Sequence, residues 1–600
     1  MRAGAATPVL AGPEPRLRLA LRYLSHYRGR YAIGFAAILG ASLVVMLPPI
    51  VLRDAIDALN LGVEGGPAPT MGTLIWYGLV IVGLAMIEGF LRFAARLLVS
   101  GTSRDLEYEL RNDLAAHQMT LDRTFYLRSQ TGDLMARCTN DLQTVRDLLG
   151  PTLIDLARIL TMLIAGFFFL LTVNTRLALI SYAYLPIVAI VIGAFGKQVE
   201  ERYGRVQEQF GALSARVQEN ISGMRTIKAY AQEENETAAF GVANREMMRR
   251  SMSWAYWTAG LFPLMTLATG ASVILVLWFG GADVLRGDIT LGQFVQFNSY
   301  LLILSNPLLA LGWNITVLQQ GAASLKRISE VLSARPLIAD PDVPVVLEQV
   351  KGEIVLRGVT FGYGADVVLR EVDLTIPAGT TIALVGVTGA GKTSLVELLV
   401  RMYDPTDGEI LLDGIDIRRL SLSQLRDSIG FVPQETFLFS DMLSDNIAFG
   451  RPGSSDEAVR YALATSQLEN DIPQFTHGLA TVIGERGVTL SGGQKQRAAL
   501  ARAVIKDPPV LILDDALSHV DTHTEEEILR RLSEFMRSRT TIIVAHRTTT
   551  LASADVVVVL DDGRIVETGT HAELLAREGM YSRFFLRQQL VEELVEDLPA

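Results

Sequence analysis

The chain contains one cysteine, Cys138. That excludes an internal disulfide framework and any metal centre built from several thiolates, and leaves a packed or surface thiol as the expectation. Charge is scarce as well. Asp, Glu, Lys and Arg make up 20% of the 600 residues, apolar residues make up 49%, and mean hydropathy is +0.29. A soluble enzyme is seldom so apolar, so segments that live in lipid are expected. No basic stripe crosses a folded region, which excludes a nucleic-acid partner. The net charge of −11 conceals an asymmetry: Arg16, Arg18, Arg22, Arg28 and Arg30 precede the first apolar run, whereas acids crowd the C-terminal half. That first run, from near Tyr31, is too long for a signal-peptide core and has no small-residue cleavage site after it.

What is abundant is apolar sequence in long blocks. Segments near 31–51, 72–99, 152–174, 177–196, 256–280 and 291–316 each approach or exceed the roughly 20 residues that a helix needs to cross a bilayer. The third and fourth are separated only by "NTR" and form a tight hairpin. The polar stretches 100–150 and 197–254 carry Arg, Glu and Gln at helical spacing without Gly/Pro clusters, and read as helices continuing beyond the membrane. Together with the basic N-terminal arm they carry many Arg and Lys. The alternate connections near 52–71, 175–176 and 281–290 hold little, so both termini and both long polar stretches face the cytoplasm.

After Arg335 the pattern changes. A proline-punctuated linker, "ARPLIADPDVPVVLEQ", gives way from Gly352 to short Val/Ile/Leu runs alternating with helical stretches, the pattern of an α/β domain. "LVGVTGAGKTSL" follows a buried strand and opens a helix, the context that identifies a P-loop. Gly386, Val387, Thr388, Gly389, Ala390 and Gly391 supply backbone N–H groups to phosphate, and Lys392, Thr393 and Ser394 begin the helix whose N-terminus adds positive dipole. Lys392 is expected on the β- and γ-phosphates of ATP, and the Thr393 hydroxyl on Mg²⁺. Asp514 ends the apolar run "VLIL". Such an Asp often caps a helix, but downstream of a P-loop it is expected to hold Mg²⁺. Ser491, Gly492, Gly493 and Gln494 open a strongly helical run and form a second anion site of the same kind.

"LSGGQ", Leu490 to Gln494, resembles the signature of the ATP-binding-cassette (ABC) ATPases. The resemblance implies further roles: Tyr363 stacks on adenine, Gln434 in "FVPQETFLF" senses Mg²⁺ and the membrane domain, and "SHVD", Ser518 to Asp521, is the D-loop, with Asp521 near nucleotide. His546 in "IIVAHR" is the switch histidine. "TVIGERG", Thr481 to Gly487, resembles the loop that exporters set against their membrane helices, with Val482 where an acid is usual. "SQTGDLMARCTND", Ser129 to Asp141, resembles the family's first coupling region, and "ENISGMRTIKAYAQEE", Glu219 to Glu234, resembles the segment after the second coupling helix. The implied fold is a membrane all-α domain of six long transmembrane helices followed by an α/β P-loop ATPase domain. Its expected divisions are a cytoplasmic arm over 1–30, the membrane domain with its cytoplasmic extensions over 31–330, a linker over 331–350, the nucleotide-binding domain over 351–590 and an acidic tail over 591–600.

In this family the residue after the Mg²⁺ aspartate is a glutamate that positions the attacking water. Here it is Asp515, whose carboxylate is withdrawn by about one C–C bond, roughly 1.5 Å. A displacement near 1 Å at a reacting centre can cost on the order of 10²-fold. With the signature and His546 intact, the pattern resembles a half-transporter of an asymmetric heterodimeric exporter. Such a chain binds ATP and lends its signature to the competent site of a second subunit, and the cargo is amphipathic. Two alternatives stand beside it: a homodimeric exporter in which Asp515 is a slow catalytic base, and a non-transporting ATP-gated membrane scaffold. Candidate cargo contacts are Glu88 with Arg92, four apart on one helix face, and Asn298, Asn306 and Asn314. An internal Glu88–Arg92 ion pair is an equal expectation. Trp76, Phe262 and Trp313 suit a greasy site, although lipid-facing packing fits them better.

Overall fold

The computed structural model describes residues 16–63, 69–182, 184–484, 490–544 and 547–596. It divides into two compact units: Met1–Met119 with Ser129–Ala334, and Thr120–Arg128 with Arg335–Ala600.

The first unit is helical: α1 (Arg16–His26), α2 (Arg28–Val44), α3 (Pro48–Val63) and α4 (Met71–Thr120), then, after α5 (Arg123–Arg128) of the second unit, α6 (Thr131–Ala136), α7 (Leu142–Asp147), α8 (Leu153–Val173), α9 (Thr175–Tyr182), α10 (Tyr184–Ser222), α11 (Met224–Ala229), α12 (Glu233–Arg286) and α13 (Leu291–Leu332). Among the described residues three stretches are long and apolar enough to cross a membrane: Arg28–Leu61, Met71–Thr120 and Thr131–Val173. The other three expected spans fall within α9–α10, α12 and α13.

Two details differ from the sequence reading. The first span is interrupted at 45–47, because Pro48 and Pro49 offer no N–H to the preceding turn, and Pro48 restarts the helix at a first-turn position where that costs nothing. The stretch 100–150 is not one helix. α4 ends at Thr120, and from α6 to α8 the chain stays helical through two wide π-type turns, Arg137–Asp141 and Leu148–Thr152. Where helices cross, small residues permit close approach: a Cβ on Gly166 would lie 2.9 Å from the Leu304 methyls.

At the cytoplasmic end of this unit Asp141, 5% exposed, accepts from Ser324 Oγ at 2.8 Å and from Arg327 Nε at 2.7 Å. This ties the start of α7 to α13. Removing the carboxylate strands donors in a nearly dry place, so Asp141→Ala is expected to cost roughly 1–3 kcal/mol. A lowered midpoint in a thermal unfolding scan of the detergent-solubilised protein checks this.

The second unit holds two sheets. β1 (Ile354–Tyr363), β2 (Asp366–Ile376), β4 (Asp407–Leu412) and β5 (Ile415–Asp416) form an antiparallel sheet in the order β2-β1-β4-β5. β3 (Thr381–Val385), β6 (Ile429–Val432), β7 (Val510–Asp514), β8 (Thr540–Val544), β9 (Val556–Asp561) and β10 (Arg564–Gly569) form the other, in the order β10-β9-β3-β8-β7-β6. All its pairings are parallel except that of edge strand β10. Every residue of β3, β7 and β8 is buried, as expected for strands covered on both faces. The helices are α14 (Lys392–Leu399), α15 (Leu422–Asp427), α16 (Leu443–Ala448), α17 (Asp456–Thr465), α18 (Gly492–Ile505) and α19 (Thr522–Met536), followed by three more near the C-terminus.

Candidate nucleotide site

Parallel pairing brings β3, β8, β7 and β6 side by side with their carboxyl ends on one edge. Three of the strands deliver a sequence motif there: the P-loop after β3, Asp514 and Asp515 at the end of β7, and Gln434 after β6. Ligands of open α/β sheets bind outside such an edge.

The P-loop glycines have steric reasons. A Cβ on Gly386 would lie 2.2 Å from the Leu560 carbonyl oxygen, and Gly391 has φ +102° with the Leu369 side chain 2.8 Å from where a Cβ would be. Only glycine lets the loop curl this tightly before α14. Lys392 is buried, and its ammonium donates to the carbonyls of Gly386 at 2.7 Å and Val387 at 3.0 Å. Burial lowers its pKa, opposed by the charges of Asp514 and Asp515. The Thr393 hydroxyl donates to Asp514 Oδ1 at 3.5 Å. Burial pushes the Asp514 carboxyl up to about 6; the Thr393 hydrogen bond works against this and the nearby Asp515 and Glu397 charges work with it.

Asp514 Oδ2 is buried and has no hydrogen-bond partner. A buried, unpartnered carboxylate oxygen beside a threonine hydroxyl is an oxygen-only donor pair, which suits a hard cation that keeps most of its ligands as water and phosphate. These residues therefore fit Mg²⁺. Tyr363 is half-exposed at the end of β1. Its hydroxyl lies 3.2 Å from Ser394 Oγ, and its ring packs edge-on against Phe361 and Tyr403. Gln434 is exposed.

The signature sits at the start of α18. Ser491 Oγ accepts from the Gln494 backbone N–H at 3.2 Å, and Gln494 Oε1 accepts from the Ser491 N–H at 3.0 Å, a reciprocal capping box. The Gln494 amide also donates to Asp471 at 3.1 Å. Gly492 and Gly493 pass close to the D-loop, where a Cβ on Gly493 would lie 2.9 Å from the His519 carbonyl oxygen. Asp521 caps α19, accepting from the Thr524 N–H at 2.9 Å. His546 lies outside the described residues, as do positions 485–487 of "TVIGERG"; Val482 is exposed and bridges to Met442.

Asp515 has φ +50°, in the left-handed region that Asp tolerates better than most residues. Its N–H donates to the Val544 carbonyl at 3.1 Å, and its own carbonyl accepts from Ser518 Oγ at 3.1 Å and Gln496 Nε2 at 3.4 Å. The backbone is thus held on both sides.

Several residues of the site carry no signal in the sequence. Gln496, 1% exposed, also donates to Ser518 at 2.9 Å and accepts from the His519 N–H at 2.9 Å, so one buried amide on α18 holds the whole D-loop. Arg547 donates to the Val520 carbonyl at 3.0 Å and pairs with buried Glu525. α5 brings Arg123 onto buried Glu397 of α14 and over the Tyr403 ring at 5.8 Å. The segment that joins the ATPase unit is therefore 120–128, just before the Ser129–Asp141 stretch singled out in the sequence, and Ser129 onward belongs with the helical unit. In that helical unit Glu88 and Arg92 pair at 3.4 Å, and Asn314 Nδ2 donates to the Ala310 carbonyl at 2.9 Å. Asn298 Oδ1 is buried without a partner, Trp76 and Trp313 are exposed, and the side chains of Phe262 and Asn306 lie outside the described set.

Lys392→Ala removes the only ammonium at the P-loop, and charge-assisted contacts are the strong ones. Labelling of this chain by azido-ATP is expected to weaken on the order of tenfold or more. Unchanged labelling would contradict the placement.

The family comparisons agree with this geometry. Residues 31–308 match the ABC transporter transmembrane region, and residues 369–518 match the ABC transporter family model. The chain is 37% identical over 573 residues, 95% of its length and 97% of the relative's, to "Probable multidrug resistance ABC transporter ATP-binding/permease protein YheI" of Bacillus subtilis. It is 34% identical over 95% of its length, and 94% of the relative's, to an ATP-dependent lipid A-core flippase of Syntrophus aciditrophicus. A bacterial Atm1-family ABC exporter solved with ATP bound superposes with a TM-score of 0.79 at 27% identity, covering 95% of this chain and 99% of that one. The chain therefore belongs to the ABC transporter family, as an exporter-type half-transporter and ATP-dependent translocase that crosses the cell membrane several times and carries its ATPase domain in the cytoplasm.

Proposed function

We propose that this chain is the weakly hydrolytic half of a heterodimeric exporter of amphipathic solutes. The domain divisions are those given above, with 1–30 and 591–600 as cytoplasmic ends. One observation carries the reading: Asp515, one methylene shorter than glutamate, sits on a backbone hydrogen-bonded to β8 and to Gln496, which opposes a forward shift that would restore the lost reach. A water that a glutamate would position is left about 1 Å or more from its base, enough to slow attack by on the order of 10²-fold.

The residues then divide by role. Gly386 to Gly391 wrap phosphate with backbone N–H groups, Lys392 swings from its carbonyl partners to the γ-phosphate, Ser394 continues the cradle, and Tyr363 stacks on adenine. Thr393, Asp514 and Gln434 would hold Mg²⁺, which supplies charge neutralisation on the β- and γ-phosphates. Ser491, Gly492, Gly493 and Gln494 present a capped helix N-terminus to the nucleotide of the second subunit, with Asp521 beside it. His546 takes the switch role and orients the phosphate opposite Asp515. ATP-bound closure favours an outward-facing membrane domain, and hydrolysis at the partner's P-loop resets it. The curated relatives named for multidrug resistance and for lipid A-core transfer support an amphipathic cargo.

Two measurements test this. Purification of the chain from its native membranes is expected to bring down a second half-transporter that carries the glutamate. In that complex, Gly493→Asp in this chain alone puts a carboxylate against the His519 carbonyl and into the phosphate's place. Steady-state ATPase is expected to fall by on the order of 10²-fold, as when a preorganised donor to a reacting anion is lost, while azido-ATP labelling of this chain persists. Full turnover would mean that this signature faces no competent site.

A further inference from the structure

The sides of α10 and α12 that face each other enclose a cleft of about 450 Å³. Arg202, Arg205, Arg249 and Arg250 line it, against Glu208 and Glu246. The two carboxylates are committed: Glu246 pairs with Arg249 at 2.6 Å and Arg250 at 2.8 Å, and Glu208 pairs with Arg250 at 3.3 Å. Arg202 lies over the Trp257 ring at 4.5 Å and donates to the Gln198 carbonyl at 3.3 Å. Arg205 is exposed, and among the described residues its guanidinium makes no ion pair. Positive charge is therefore in excess, and part of it is free.

One donor on the cleft wall lacks an acceptor: among the described residues Arg202 Nε is buried with no hydrogen-bond partner. Trp254, next to Ser253 in sequence, packs on Tyr203, with ring centroids 5.7 Å apart. An orphaned donor beside an exposed guanidinium calls for a ligand made of acceptors. The depth identifies its source. α10 carries no charged residue from Tyr184 to Gly196, and α12 carries none from Ser251 to Ala282. The arginines begin within two helical turns of those apolar limits, and Trp254, Trp257 and Tyr203 stand at the same level, as aromatic side chains do at a membrane surface.

We propose that this cleft binds the phosphate of an anionic phospholipid headgroup in the cytoplasmic leaflet, bridging α10 and α12. Arginine suits this ligand because its planar fork meets phosphate oxygens in pairs. The site is separate from the nucleotide site and from the cargo contacts named above.

The test uses the intact complex in detergent, with lipid adducts counted by native mass spectrometry. Phosphatidylglycerol is expected to bind more tightly than phosphatidylcholine, and Arg205→Gln to weaken phosphatidylglycerol by about fivefold, the effect of one surface arginine near anionic lipid. The exposed Arg205 side chain can be replaced without disturbing packing, so misfolding does not confuse the result. Arg202→Gln/Arg205→Gln is expected to abolish the preference, and Arg202→Lys/Arg205→Lys to keep part of it. A parallel titration with glycerol 3-phosphate separates sources. If it displaces phosphatidylglycerol at low millimolar concentration, the same phosphate chemistry also serves a soluble ligand; if it does not, the lipid is the source. An unchanged preference for phosphatidylglycerol in both glutamine variants would overturn the proposal.

Discussion

The parallel pairing of β3, β8, β7 and β6 is the constraint on which the rest depends. In register, Thr381 to Leu384 of β3 lie against Thr541 to Val544 of β8, and Thr540 to Val544 lie against Val510 to Asp514 of β7. Because the strands are buried on both faces, a one-residue slip would turn apolar side chains out of one layer and into the other. The register thereby fixes where the P-loop, Asp514 and Asp515 emerge. It is also why the length of one side chain can matter. A flexible loop could creep forward to compensate, whereas a strand end tied to its neighbour by the Asp515 N–H cannot.

A second layer of control is built from buried polar groups outside the recognised motifs. Gln496, on the same helix as Ser491, holds the Ser518–His519 turn and the Asp515 carbonyl. Arg547, next to His546 in sequence, donates to the Val520 carbonyl and is itself paired with Glu525. Glu397 couples differently. It lies on the P-loop helix, receives Arg123 from α5, and its charge helps raise the Asp514 carboxyl, after burial and alongside Asp515. Such low-dielectric networks are stiff when satisfied and costly when broken.

Much of this was legible in the sequence because each motif has a local physical cause. Gly386 and Gly391 read as a P-loop because only glycine fits those backbone turns, and Ser491 with Gln494 read as a helix start because their spacing makes a capping box. The apolar blocks read as membrane spans from length alone. What was not legible arises from contacts distant in sequence. Gln496 resembles any polar residue on a helix until the D-loop folds onto it, and Arg123 and Glu397 are separated by 274 positions. The break before Pro48 could have been anticipated from the Pro-Pro pair. Of the two π-type turns that lead into the third span, the second carries Pro151 and the first, Arg137–Asp141, has no such signal. The grouping of Thr120–Arg128 with the ATPase unit was likewise not legible, because it rests on contacts such as that of Arg123 with Glu397.

The claim at the centre is that Asp515 is held too far from the γ-phosphate to act as a base. Steady-state phosphate release at saturating Mg-ATP, with Asp515→Asn made in this chain only, tests it most directly. Turnover within about threefold of the unsubstituted complex, roughly 0.65 kcal/mol, is the predicted result, because a carboxylate out of reach contributes little to the transition state. A loss on the order of 10²-fold or more, in a preparation shown to contain no second transporter subunit, would contradict the account and make Asp515 a working base in a homodimer.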